Sequence, residues 1–241
     1  MKTDVVIAAD GVHSRMRDRL GIPYRRKRLA DCAIRIMIPP TSAEVVSEDG
    51  AKNIEHWSGQ RPILVTLSSE TELYVALTIL DQDSPRKSIP MNKCLWKASF
   101  PCLEALIERL DGDARWDRFQ VVKLSRWSRG RVATLRDASH AMAPDLGQGG
   151  AYAMMNKLGL AIALDEEPTV EIAFNRWEER ERPMDHTQRL STFYSALTTR
   201  PDLARSAAFA LASRSSWLRI QYLRTALCTP TGTTEPGPRQ A

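Results

Sequence analysis

GRVATLRDASHAMAPDLGQGGA, residues 130–151, is the stretch that decides the fold of this chain. Val132, Ala133, Thr134 and Leu135 form an apolar, partly β-branched run that suits a short buried strand. Asp137 follows at its end, where a carboxylate can meet a ligand. The segment beyond reads as a loop. Pro144 disfavours helix in the residue before it, and Gly147, Gly149 and Gly150 permit close backbone approach around Gln148. Ala151 then opens an apolar run to residue 164 that reads as a helix. This order aims unpaired N–H groups and the positive end of a helix dipole at a ligand, which favours a phosphate or an anionic ring system. Taken singly, Asp137 reads more readily as a residue that caps or terminates a strand.

A second ordered segment stands near the start. VVIAA, residues 5–9, is apolar without alternation, as in a parallel strand covered on both faces, and Asp10, Gly11, Ser14 and Arg17 follow it. With both segments in view, the chain resembles the flavin-dependent aromatic hydroxylases, the family of p-hydroxybenzoate hydroxylase. Near its flavin that family has a strand ending in Gly-Asp-Ala-x-His, then a Pro, then a Gly-x-Gly turn into a helix. Asp137, Ala138, His140, Pro144, Gly147, Gln148 and Gly149 fall in register with it. The family's Asp-Gly-x-x-Ser-x-x-Arg motif is matched by Asp10, Gly11, Ser14 and Arg17. Residues 174–189, FNRWEERERPMDHTQR, are similar to the family's charged helix, with an Arg-Pro step at Arg182 and Pro183.

The resemblance implies an α/β fold (α+β mixed): a partial, Rossmann-like FAD-binding domain at 1–30 and 125–200 and an inserted antiparallel-sheet substrate domain at 31–124. C-terminal helices at 201–228 and a disordered tail at 229–241 complete it. It also implies FAD as cofactor, NAD(P)H as electron donor and a small aromatic substrate. The reduced flavin reacts with dioxygen and passes one oxygen atom to that substrate, while the protein positions and polarises. Asp137 would then bond the ribityl hydroxyls. The turn of Pro144, Gly147, Gln148, Gly149, Gly150 and Ala151 would stabilise negative charge on the reduced ring, and Asp10, Gly11 and Arg17 would organise the pyrophosphate side. No side chain is assigned as a catalytic acid or base.

Departures from the family pattern qualify these expectations. The family opens with a strand and a Gly-x-Gly-x-x-Gly turn that holds the adenosine diphosphate half of FAD. Here residues 5–9 come almost at once, so that module is expected to be absent and FAD to bind weakly or not at all unless a second chain supplies it. GQGGAY, residues 147–152, has Tyr152 where a third glycine belongs. Arg136 replaces the Gly of Gly-Asp; its side chain can point outward, pair with a phosphate or obstruct the ribityl chain. Met155 and Asn156 stand where the family has Glu-Asp. Three readings follow: a monooxygenase that is truncated or completed by a partner, a non-catalytic remnant, or a small-anion binding module. An unprotected edge on the strand at 5–9 predicts self-association.

Composition narrows the classes further. The chain has 241 residues, 43% of them hydrophobic, with net charge +5, as expected of a globular cytoplasmic protein. No apolar run approaches the ~20 residues of a membrane helix, and the first residues do not read as a signal peptide. Cys32, Cys94, Cys102 and Cys228 lack Cys-x-x-Cys spacing and read as reduced thiols, and the four histidines lack metal-ligand spacing. Arg25, Arg26, Lys27 and Arg28 read as a solvated turn, since aromatic residues do not interleave them as in a nucleic-acid surface. His13 and His140 read as hydrogen-bonded scaffold. Ser139, His140 and Asp137 are too close in sequence to serve as a hydrolase triad. Residues 33–38, 63–67 and 74–79 predict an antiparallel sheet, and 119–124 a further strand. Residues 102–110 predict a helix with Leu103, Leu106, Ile107 and Leu110 on one stripe; 170–194, 203–212 and 217–227 also read as helical.

Overall fold

The computed structural model describes residues 3–48, 52–110, 115–182 and 185–217. Its elements run β1 Val6–Ala8, α1 Arg15–Leu20, β2 Tyr24–Ile38, α2 Ser42–Val46, β3 Asn53–Ser58, β4 Arg61–Ser69 and β5 Glu72–Leu80. They continue with α3 Lys93–Ser99, α4 Glu104–Glu108, β6 Asp117–Leu124, β7 Ser128–Arg129, β8 Val132–Thr134, α5 Asp137–His140, α6 Gly149–Glu166, α7 Val170–Glu181, α8 Asp185–Ala196 and α9 Asp202–Ser213. The chain divides into two compact units. The first comprises Met1–Arg28, Gln120–Ser195 and Ala207–Ala241; the second comprises Leu29–Phe119 and Ala196–Ser206.

The first unit is built around the parallel pair β1 and β8, with β7 antiparallel beyond, in the order β1-β8-β7. Val6, Ile7 and Ala8 face Val132, Ala133 and Thr134 in register. Its core joins Leu135 and Ala133 to Tyr152, Met155, Leu160 and Ala163 of α6 and to Ala173, Phe174 and Trp177 of α7. Trp127 stacks obliquely on Trp177 at 5.3 Å between ring centroids, an arrangement worth about 0.5–1.5 kcal/mol beyond the area it buries.

The second unit takes its form from alternation. The strands of the order β3-β4-β5-β2-β6 place Cys32, Ile34, Ile36, Ile63, Val75, Leu77 and Ile79 in one cluster with Trp96, Phe100, Leu106 and Ile107. Leu77 lies opposite both Ile34 and Ile63, so one apolar row crosses three strands. The segment Ala196–Ser206 is clasped to this unit: the Thr198 hydroxyl donates to Asp31 at 2.7 Å, and Arg205 lies 4.1 Å over the Trp57 ring while donating to the Gly59 carbonyl.

Several elements differ from the sequence-based expectations. Arg25, Arg26, Lys27 and Arg28 belong to β2 and form no turn, because the strand extends far beyond residues 33–38. β3, α2 and α3 have weak local patterns and were not expected. Residues 102–110 split into a 3₁₀ turn, Pro101–Leu103, and the short α4. The single helix expected over 170–194 is two, α7 and α8, with Pro183 lacking an N–H in the sequence between them. β1 is parallel, but it is not covered on both faces, since Ile7 is 40% exposed. The tail at 229–241 and most of the helix expected at 217–227 lie outside the described residues.

Candidate functional site

The parallel pairing of β1 with β8 brings the two sequence motifs to one edge. Leu135 N–H donates to the Ala8 carbonyl at 2.8 Å, so the Asp10-Gly11 turn and the Arg136-Asp137 step leave adjacent strands at their carboxyl ends. In open sheets of parallel strands, ligands bind outside that end. Asp137 is exposed there and makes no hydrogen bond or ion pair among the described residues.

Downstream of β8 the chain makes one turn of helix, α5, where a loop was expected. Ser139 N–H and His140 N–H both donate to the Arg136 carbonyl at 2.9 Å. The Pro144 carbonyl accepts from Gly147 N–H at 2.8 Å, closing a turn whose last residue has φ +64° and so requires glycine. Helix α6 starts at Gly149, two residues before the predicted Ala151, with Gln148 as N-cap. The N–H groups of Gly149, Gly150 and Ala151 have no acceptor within the helix. A Cβ built on Gly147 or Gly150 would meet no atom within 4 Å, and one on Gly149 only Met142 at 3.8 Å. The glycines border open space. Gln148 is 5% exposed, and its Oε1 is buried with no hydrogen-bond partner. An orphaned buried acceptor calls for a donor and the free N–H groups beside the open glycines favour negative charge, so the turn fits a ligand that carries both, such as a flavin.

The other motif is engaged inside the protein. Asp10 Oδ2 accepts from Arg15 N–H at 2.9 Å and Met16 N–H at 3.3 Å, and so caps α1. Partial burial raises the Asp10 carboxyl, but hydrogen bonds from the Ser14 hydroxyl and from these backbone groups outweigh it and hold it below the ordinary carboxylate value. Gly11 supplies the turn at φ +83°. Arg17 is fully buried; it donates to the Ala138 carbonyl at 3.0 Å and the Val12 carbonyl at 3.1 Å, and packs 4.2 Å over the Tyr24 ring. Arg17 thereby ties α1 to α5 from within, next to the turn that it and Asp10 were expected to organise on the pyrophosphate side.

His140 is buried, with Nε2 3.2 Å from Asn156 Oδ1 and its ring 4.4 Å from the Tyr152 ring. Burial pushes its imidazole below the ordinary value, against the opposing hydrogen bond to Asn156. Met155 is core, so the position where the family has Glu packs against apolar side chains. Two functional supports had no signature in the sequence. Gln188 of α8 donates to the Val122 and Ala141 carbonyls, both at 2.7 Å, and the Ser191 hydroxyl donates to the Ala143 carbonyl. They hold the loop that follows α5. Arg136 adopts φ 57° and ψ −138°, a region that costs a non-glycine residue about 1–3 kcal/mol. Its replacement of a glycine was the signal.

Comparison with known proteins bears on the family and the fold. Residues 1–169 match the family described as FAD binding domain. The chain is 41% identical to a 2-heptyl-3-hydroxy-4(1H)-quinolone synthase of Mycobacteroides abscessus, over 76% of this chain and 49% of that protein. It is 29% identical to a 6-hydroxynicotinate 3-monooxygenase of Pseudomonas fluorescens, over 83% of this chain and 55% of that one. A solved 2-methyl-3-hydroxypyridine-5-carboxylic acid oxygenase superposes with a TM-score of 0.78 at 33% identity, covering 94% of this chain and 60% of the other. The chain thus spans about half to three fifths of the length of these relatives. No helix among the described residues is long and apolar enough to cross a membrane.

Proposed function

We propose a function from one premise, that this chain belongs to the FAD binding domain family: it is the flavin-holding part of an NAD(P)H-dependent monooxygenase acting on a small aromatic ring. The observation that carries this reading is the parallel register of β1 and β8, which sets both motifs at one strand edge beside the open N-terminus of α6. When bound, FAD supplies the redox chemistry and the activation of dioxygen. The chain's own residues bind and orient. Asp137 accepts hydrogen bonds from ribityl hydroxyls. The N–H groups of Gly149, Gly150 and Ala151 favour negative charge on the ring, with Gln148 offering an acceptor, while Pro144 and Gly147 shape the turn and Asp10, Gly11 and Arg17 hold the neighbouring loop in place.

The names of the relatives share a nitrogen heterocycle bearing an oxygen substituent. We extend that substrate class to this protein. The test is a fluorescence titration of FAD into the purified chain and into Asp137→Asn. Saturable quenching by the parent, weakened about ten- to a hundredfold in the variant through loss of charge-assisted hydrogen bonds, is the expected result. Absence of any saturable flavin binding would sink the proposal, and binding of pyrophosphate alone would make the chain a small-anion module. Among the described residues β1 is the outer strand of its sheet, with Ile7 exposed, and we read this edge as a pairing surface, to be checked by light scattering.

A further inference from the structure

Arg136 is a residue that the local structure does not favour. Its backbone sits at φ 57° and ψ −138°, where glycine is at ease and a side chain is not. It occupies the N-cap of α5 and makes no side-chain capping bond there, at a position better served by Ser, Thr, Asp or Asn. The carbonyl is what the fold uses: it accepts from Ser139 and His140 N–H at 2.9 Å, and a glycine would provide it equally. The guanidinium is exposed and has no hydrogen bond, ion pair or ring contact among the described residues. No contact of its side chain among the described residues offsets the strain. Asp137 beside it is exposed and makes no hydrogen bond or ion pair among the described residues, so the step presents an anion and a cation together at the end of β8.

We infer that the Arg136 guanidinium binds a phosphate group of the ligand, next to the hydroxyls taken by Asp137. The inference rests on the flavin reading above. A guanidinium presents planar paired donors that match phosphate oxygens, and it keeps its charge at any working pH. Two sources offer the same chemistry: the phosphate at the end of a flavin ribityl chain, and a phosphate of the nicotinamide dinucleotide.

The experiment uses the full chain and two variants. Arg136→Gln keeps the Cβ and its strain but removes the charge; Arg136→Gly removes both. Riboflavin, FMN and FAD are titrated by flavin fluorescence and NADPH by its own emission, and each protein is melted without ligand. The parent should prefer FMN to riboflavin. Both variants should lose about ten- to a hundredfold of that preference while riboflavin affinity stays constant. Arg136→Gly should melt several degrees above the parent, and Arg136→Gln at the same temperature as the parent. A fall in NADPH affinity with the FMN preference intact assigns the phosphate to the dinucleotide. If both variants retain the FMN preference and the NADPH affinity, the inference is overturned whatever happens to the melting point. A parent that binds no flavin, riboflavin included, sinks the flavin reading and this inference with it.

Discussion

The two units solve the problem of folding by different means. The first buries Ser14, Arg17, His140, Gln148, Asn156, Glu181, Gln188 and Ser191, and three of these side chains, Arg17, Gln188 and Ser191, donate to backbone carbonyls far away in sequence. The second buries rows of Ile, Leu and Val on one face of long strands, with Asp31, Thr78, Thr198 and Arg205 as its polar exceptions. The difference follows from what each must hold. Short strands and one-turn helices supply too few ladder bonds to fix loops around a ligand edge, so single polar side chains act as pins. Long antiparallel strands fix themselves by pairing and by non-directional apolar packing. The first unit should therefore tolerate conservative change poorly and the second well.

The largest expected effect is at Arg17. Arg17→Met should destabilise the protein by about 3–5 kcal/mol in urea unfolding, because it strands the Ala138 and Val12 carbonyls and disturbs a fully buried site. In the second unit, Ile79→Val removes one methylene from an equally buried residue and should cost about 0.5–1.5 kcal/mol. Equal losses at the two positions would erase the contrast. Next comes Gly159→Ala. A Cβ there would lie 2.9 Å from Glu181 Oε1 and 3.3 Å from its Cγ, and Glu181 is wholly buried. Helix propensity favours the alanine by up to about 1 kcal/mol, yet overpacking should win and leave a net loss of about 1–2 kcal/mol. A stabilised variant would show that this polar interior yields more easily than its packing implies.

A smaller effect concerns pH. Burial holds His140 below its ordinary value in the folded chain, whereas the unfolded imidazole titrates near about 6.5. Below that value the unfolded chain binds more protons, so the stability contributed by neutral His140 is lost as pH falls from about 6.5 toward the depressed folded value. Denaturation between about pH 7 and 5.5 should accordingly be flatter in His140→Gln than in the parent. Identical slopes would remove His140 from the account. The smallest effect tests how well the second unit is sealed. Burial pushes the Cys32 thiol up to about 11, while Cys94 and Cys102 are exposed. A thiol reagent at neutral pH should label Cys94 and Cys102 in the folded protein and reach Cys32 only on unfolding, as read by peptide mass mapping. Labelling of Cys32 in the native state would mean that the sheet core opens readily.

What could be read from the residues alone was what is local. Turn chemistry at Pro144 and Gly147, the apolar strand runs at 5–9 and 132–135, and the alternation at 74–79 each announce an element within a few residues. The order Asp137, Pro144, Gly147, Gly149 carried the proposed ligand edge with it. Only the tertiary structure decided which partners those elements take. Parallel pairing of β1 with β8 joins residues more than a hundred positions apart, and no local pattern encodes it. Nor did any pattern show that Asp10 caps α1, that Arg17 reaches the Ala138 carbonyl, or that Gln188 and Ser191 secure the loop after α5. The physical reason is that dihedral preference and hydrophobic period act over one or two turns of chain. A buried hydrogen bond, by contrast, is set by whichever orphaned carbonyl the collapsed fold brings within reach.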